Sequence, residues 1–168
     1  MSLKHQLSSL LLCAILSSGF GLKAAEADSV PTDFNLCAHY SPGFSASKPW
    51  KVTISADGKA LQVVPSAFGK KATTDKSQST STLTLAQLRE LVAAVHTAQF
   101  FALKKRYSHP VTDNATLTLR VRMDGSSQEV EVYAPDRLKD DAEVRRFMKV
   151  WNAVLKDIPS PNAWQKPE

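Results

Sequence analysis

From Trp50 to Ala56 apolar and polar residues alternate, with Trp50, Val52 and Ile54 on one side and Lys51, Thr53 and Ser55 on the other. A period of two is that of a strand with one buried face. Asp57-Gly58 follows and marks a hairpin turn. A two-residue loop there sets Ile54 opposite Leu61, Val52 opposite Val63 and Trp50 opposite Pro65. Each pair joins apolar to apolar, so this is the expected register. The pattern recurs later. Leu117, Leu119, Val121 and Met123 alternate with Thr116, Thr118, Arg120 and Arg122, Asp124-Gly125 marks a turn, and Val130 and Val132 alternate with Glu129 and Glu131. A two-residue loop sets Arg120 opposite Glu129; a four-residue loop sets Arg122 opposite Glu129 and Arg120 opposite Glu131. Either way opposite charges meet on the outer face, worth about a few tenths of a kcal/mol per pair. That face reads as a solvated one.

Two segments carry the helical period instead. Thr84 to Gln87 fits a capping box, in which the two side chains satisfy amides at a helix start. Leu85, Leu88, Leu91, Val92 and Val95 follow at helical spacing, and the helix should run to about Ala98. Phe100, Phe101 and Leu103 then plug the core. Asp140 is the expected cap of a second helix, with Glu143 three residues on. Its stripe is Val144, Phe147, Met148, Trp151, Leu155 and Ile158, and Pro159 and Pro161 end it. Phe34 to Tyr40 reads as a first strand, broken by Ser41-Pro42-Gly43. Residues 66–82 are polar and read as a loop or an exposed edge strand. The order is strand, hairpin, helix, hairpin, helix. The expected fold is α+β, an antiparallel sheet built from hairpins with both helices on its apolar face and Trp151 between helix and sheet.

The start of the chain changes the picture of where this domain works. Lys4 precedes an apolar stretch, Leu7 to Leu16, too short for the roughly 20 residues of a membrane span. Small residues follow, and Ala24-Ala25-Glu26-Ala27 offers an A-x-A site. This is the pattern of a cleaved secretory signal over residues 1–27, with cleavage after Ala27, or alternatively after Ala24 or Ala25. Residues 28–33 then form a short arm, 34–158 a single domain and 159–168 a loose tail. The expected location is periplasmic or secreted, with no membrane span after cleavage. The formal net charge of the 168 residues is +5. Cleavage leaves Cys37 as the lone cysteine, which excludes an internal disulfide and a cysteine-based structural zinc site.

Candidate chemistry is sparse. Cys37 and His39 lie two apart on a strand and so share a face. They suggest a thiolate–imidazole pair or half a metal site, but a nucleophile also needs an oriented base, and a metal needs more ligands. His109, before Pro110, and Asp113 form the best polar cluster, whose plainer reading is that Asp113 caps or pins the turn into the next strand. His96 sits late in a helix, beside its apolar stripe. Lys104-Lys105-Arg106-Tyr107 is a bare basic run, weak as a nucleic-acid signal in an exported chain. A Gly-rich phosphate loop, G-x-S-x-G and H-E-x-x-H are absent from the sequence. No cofactor and no nucleic acid are expected.

The run Val52–Leu61 (VTISADGKAL), the run Leu83–Val92 (LTLAQLRELV), then Phe100-Phe101-Ala102-Leu103, Tyr107, Val111-Thr112-Asp113 and a Thr/Leu strand ending in Asp124-Gly125 together resemble a bacterial family, the domain of unknown function 6438. The resemblance covers roughly residues 34–158. It implies the fold and an envelope-facing habit, and no activity. Many members carry a cysteine–proline pair before the first hairpin; here the region reads Ser47-Lys48-Pro49-Trp50, so a role tied to that cysteine does not transfer. A fainter likeness is to emfourin-type metalloprotease inhibitors, which share a Gly-rich opening (Ser41-Pro42-Gly43-Phe44), a Leu-rich helix ending in Phe-Phe-x-Leu and a late hairpin followed by a helix.

The functional expectation is a non-enzymatic module that binds another protein, with protease inhibition as one form. Ser41–Lys48 and Lys70–Thr82 are the candidate contact segments. The alternatives are a small enzyme or ligand-binding protein using Cys37/His39 or His109/Asp113, and a structural part of an envelope assembly.

Overall fold

The computed structural model describes residues 29–45, 47–65 and 76–159. The segment 1–27 and the tail beyond Pro159 therefore lie outside the described residues. The strands are β1 (Asn35–Ser41), β2 (Trp50–Ser55), β3 (Lys59–Pro65), β4 (Lys76–Thr82), β5 (Arg106–Ser108), β6 (Thr116–Met123) and β7 (Ser126–Tyr133). The helices are α1 (Leu85–Thr97) and α2 (Ala142–Asp157), with 3-10 turns at Phe100–Ala102 and Pro135–Arg137. The strands form one sheet in the order β4-β3-β2-β1-β6-β7-β5. Every pairing is antiparallel except β5 with β7, which is parallel. The α+β architecture is as expected; β4 takes the edge-strand reading for residues 76–82, residues 66–75 of that polar stretch lie outside the described residues, and β5 is an added strand.

One face of the sheet is the core. Leu36, Val52, Ile54, Leu119, Val121, Val130 and Val132 on that face have no exposed surface. Against them pack Leu88, Leu91, Val92 and Val95 of α1 and Val144, Phe147, Val150, Trp151 and Val154 of α2, all in one cluster. Trp151 sits between helix and sheet as expected, 5.4 Å from the Trp50 ring and 6.2 Å from Phe147 (centroid distances). The plug also holds: Phe100 and Leu103 are buried and Phe101 is half-buried.

The capping box of α1 forms with both of its hydrogen bonds. The cap of α2 is Asp141, not Asp140: its carboxylate accepts from the Glu143 and Val144 amides at 2.7 and 3.0 Å. Two adjacent aspartates offer the same chemistry, and the helix starts where the stripe lets Val144 and Phe147 reach the sheet. The stripe itself is turned slightly from expectation. Val150 and Val154 are buried, Met148 is half-buried and Leu155 is 40% exposed.

The first hairpin departs from the expected register. Ile54 lies opposite Ala60, Thr53 opposite Leu61 and Val52 opposite Gln62. The loop has three residues. Ser55 and Lys59 flank it, and the Gly58 amide donates to the Ser55 carbonyl at 2.9 Å. Asp57 closes it from inside, accepting from Ser55 Oγ at 2.5 Å and from the Lys59 amide at 3.1 Å. Gly58 has φ +83°, the left-handed step that a three-residue loop of this kind uses. The one-residue slip moves every side chain of β3 to the other face. Ala60, Gln62 and Val64 point into the core, and Leu61 is left 38% exposed.

The second hairpin keeps the two-residue loop. Asp124 and Gly125 both have positive φ (52° and 73°), as a type I′ turn requires. Met123 then faces Ser126 and Arg120 faces Glu129.

Candidate functional site

The second face of the sheet carries no described element. Across it run two rows of side chains set by the register. One is Val63, Lys51, His39, Thr118, Glu131 and Arg106; the other is Leu61, Thr53, Cys37, Arg120 and Glu129. Cys37 and His39 do share a face, as their spacing implies. They line a groove of about 620 Å³ with Pro49, Lys51, Val63, Thr118, Arg120 and Glu131 among its walls. Burial, and then the neighbouring Lys51 ammonium, lowers the His39 pKa from its ordinary 6.5. That holds the ring neutral at pH 7. Among the described residues neither side chain makes a hydrogen bond. The groove therefore offers a thiol and a neutral imidazole without the third group that orients a catalytic base. Of the charges beside them, Arg120 pairs with Glu129 at 2.5 Å and Arg106 with Glu131 at 3.2 Å, while Lys51 makes no ion pair among the described residues.

The His109–Asp113 loop is built differently from the expectation. No hydrogen bond joins the two residues among those described. His109 is half-buried, with Nδ1 enclosed and unpartnered. Asp113 is exposed, in the left-handed region at φ +61°. The turn is pinned by Tyr133 instead. Its hydroxyl accepts from the Asn114 amide at 3.2 Å and donates to the Val111 carbonyl at 2.9 Å. The basic run is also committed to the fold. Lys104 pairs with Glu143 at 3.1 Å, and the Lys104 amide donates to the Tyr107 hydroxyl at 2.8 Å. Among the described residues, no three or more His, Cys, Asp or Glu side chains gather as a metal site.

At the end of the sheet where β1 gives way to β2, the connecting loop presents an aromatic side chain. Phe44 is 88% exposed, the most exposed large hydrophobic residue among those described. The loop beneath it is held in place. Gly43 has φ +63°, and a Cβ there would lie 2.5 Å from the Asn114 carbonyl oxygen. Only glycine permits that approach, so the loop leans directly on the backbone that Tyr133 pins. The loop leaves from Tyr40 and returns at Trp50, and these two rings stack at 5.9 Å. They also line an apolar cleft of about 320 Å³ with Leu117, Trp151, Leu155 and Ile158. The segment Ser41–Lys48 was legible as a candidate contact; Phe44 itself was not. Its signal was an aromatic directly after Pro42-Gly43, between serines and out of phase with any buried pattern.

Residues 40–152 match the family described as Domain of unknown function (DUF6438). The chain belongs to this family. In this DUF6438 protein the match takes in everything from the end of β1 to α2, and so includes the Phe44 loop, both hairpins and the helix that carries Trp151. No curated protein matches the chain. Among the described residues no helix is long and apolar enough to cross a membrane.

Proposed function

We propose that this is an exported envelope protein without enzymatic activity, which binds another protein through the loop between β1 and β2. The observation that carries the reading is Phe44: an aromatic ring 88% exposed on a loop braced through Gly43. Aromatic side chains on rigid supports are the usual anchors of protein interfaces, because they bury much apolar area at little entropic cost. The cleft of Tyr40, Trp50, Trp151 and Leu155 beside the loop's base extends the apolar surface. Export rests on the signal pattern of residues 1–27. It predicts that N-terminal sequencing of the exported protein begins at Asp28.

The test is capture from envelope and culture-fluid extracts by the chain and by its Phe44→Ala variant, with a photo-crosslinking residue at position 45 in both. A partner crosslinked by the first and lost from the second supports the reading, provided circular dichroism shows the same fold. The same partner held equally by both, or none captured at low salt, overturns it. Inhibition of a secreted metalloprotease is one form of the reading; absence of slowing across a protease panel removes that form.

A second reading is chemistry at Cys37 and His39, supported by their shared groove and the lowered His39 pKa. Alanine at both positions with full function retained would remove it.

A further inference from the structure

The two edges of the sheet differ in how they are guarded. At one edge, β5 has three residues, begins with Arg106 and follows Lys104 and Lys105. Short length and basic charge are the usual protections of a sheet edge against pairing with another chain. At the other edge, β4 has seven residues and pairs with β3 along its whole length, from Lys59 opposite Thr82 to Pro65 opposite Lys76. Its outer side meets no strand among the described residues. From Ser77 to Thr82 it carries no charge, no proline and no glycine. Among the described residues nothing bonds to the backbone N–H and C=O groups that every second residue turns to that side.

We propose that β4 pairs antiparallel with β4 of a second copy of this chain across a two-fold axis, joining two sheets into one. The register follows from the faces. Ser79 and Ser81 lie opposite the core-facing Gln62 and Ala60, and Gln78 and Thr80 opposite the outward Val63 and Leu61. Pairing Ser79 with Ser79 keeps both helix layers on the same side, sets Ser77 opposite Ser81 and Gln78 opposite Thr80, and opposes no like charges. Hydroxyl and amide side chains directly opposite one another across strands are favourable pairs. The strand's chemistry selects the occupant. Partner strands of other proteins are chosen by pockets for alternate side chains, and the short serines and threonines of β4 make none. A two-fold self-pairing needs no such pockets, because symmetry makes the surface complementary to itself. One strand pair buries less than a standard interface, so the dimer forms at high concentration and dissociates on dilution.

The experiment is sedimentation velocity on the purified chain from about 1 µM to about 1 mM, a span of roughly 4 kcal/mol in association energy. Reductant is present to exclude a bond through Cys37. The chain is compared with a Gln78→Lys/Thr80→Lys double variant, which sets lysine against lysine across the axis. The expected result is a monomer–dimer equilibrium in the first and monomer throughout in the second, with hydrogen exchange at residues 77–82 slowing as concentration rises in the first alone. A monomer at every concentration overturns the proposal. So does a dimer that survives the double variant, since its interface then lies elsewhere. Equal circular dichroism of the two proteins assigns the loss of the dimer to the edge; a variant that unfolds is replaced by Thr80→Lys alone. The result is independent of Phe44, which sits on a different loop.

Discussion

Two hairpins of this protein, β2–β3 and β6–β7, turn on the same dipeptide, Asp-Gly, and they turn differently. At Asp124-Gly125 both residues take positive φ and the loop has two residues. At Asp57-Gly58 only the glycine does, and the loop has three. The difference lies in what the aspartate carboxylate is bonded to. Asp57 spends its own on Ser55 and Lys59, inside the loop. At the second turn the carboxylate comes from outside: Asp33 accepts from the Asp124 and Gly125 amides, each at 2.9 Å, and lies 3.7 Å from Arg122. A dipeptide therefore marks where a hairpin turns, while its neighbours fix the parity of the strands beyond it. The consequence is large. In the second hairpin every leucine, valine and methionine faces the core; in the first, Gln62 is buried and Leu61 is exposed.

The sharpest way to break this comparison is at the first hairpin's anchor. Trp151→Ala removes the ring against which Trp50 packs and should cost about 3–5 kcal/mol, read by denaturant unfolding. An unchanged midpoint would mean that the hairpin is not held to α2. Next come the glycines. Gly125→Ala places a methyl group in open space at φ +73°, a conformational cost of about 1–2 kcal/mol. Gly58→Ala meets the same cost and also sets Cβ 2.6 Å from the Leu83 carbonyl oxygen, which adds about 1–3 kcal/mol of overpacking. Equal losses would show that the first turn is not pressed against the start of α1. Gln62→Leu sharpens the comparison from the other side. The Gln62 Oε1 atom is buried without a partner, and Nε2 reaches the Pro159 carbonyl only at 3.4 Å. Removing an unsatisfied oxygen should raise stability by about 1 kcal/mol; a loss of that size would show that the amide is satisfied.

The smallest effect is a dependence on pH. Hydrogen bonds from Gly125 at Asp33, and from Ser55 at Asp57, hold both carboxyl groups below their ordinary 3.8. A depressed carboxyl contributes stability that is present above its unfolded pKa and lost as pH falls through the folded one. Asp33→Asn and Asp57→Asn should each flatten the fall in stability below pH 3.8, measured as unfolding midpoints across that range. Their wild-type slopes would be unchanged if the turn bonds were absent in solution. His39 adds a second window by the same rule. Its lowered pKa makes stability decline as pH falls below 6.5, and His39→Gln should remove that decline.

Much of this fold was legible because long apolar periods overdetermine it. The helices, the capping box at Thr84, the β6–β7 strands and the place of Trp151 all follow from spacing. The misread features are those on which two local solutions compete. Asp140 and Asp141 are both good caps, and the burial of Val144 decides between them. The first hairpin's register looked fixed by apolar pairs, yet the Ser55–Asp57–Lys59 bonds and the contact of Gly58 with Leu83 outweigh the mispaired Gln62. β5 has three residues and a parallel partner, too short a signal for any period. The candidate site was legible as a segment and a shared strand face. It was not legible as Phe44, because exposure of one ring depends on how Gly43 meets a loop some seventy residues away.

The central place of β1 has a consequence for how the chain comes together. β1 precedes every other strand, and its two neighbours are made at different times: β2 directly after it, and β6 only once β3, β4, α1 and β5 have followed. During synthesis the first sheet half can close early around the β2–β3 hairpin, but one side of β1, with Leu36 and Ala38 along it, waits for residues 116–122. A chain stopped before β6 would end its sheet at β1, an apolar strand with one open edge. The nascent protein is therefore most prone to stick to its neighbours in the interval between α1 and the second hairpin.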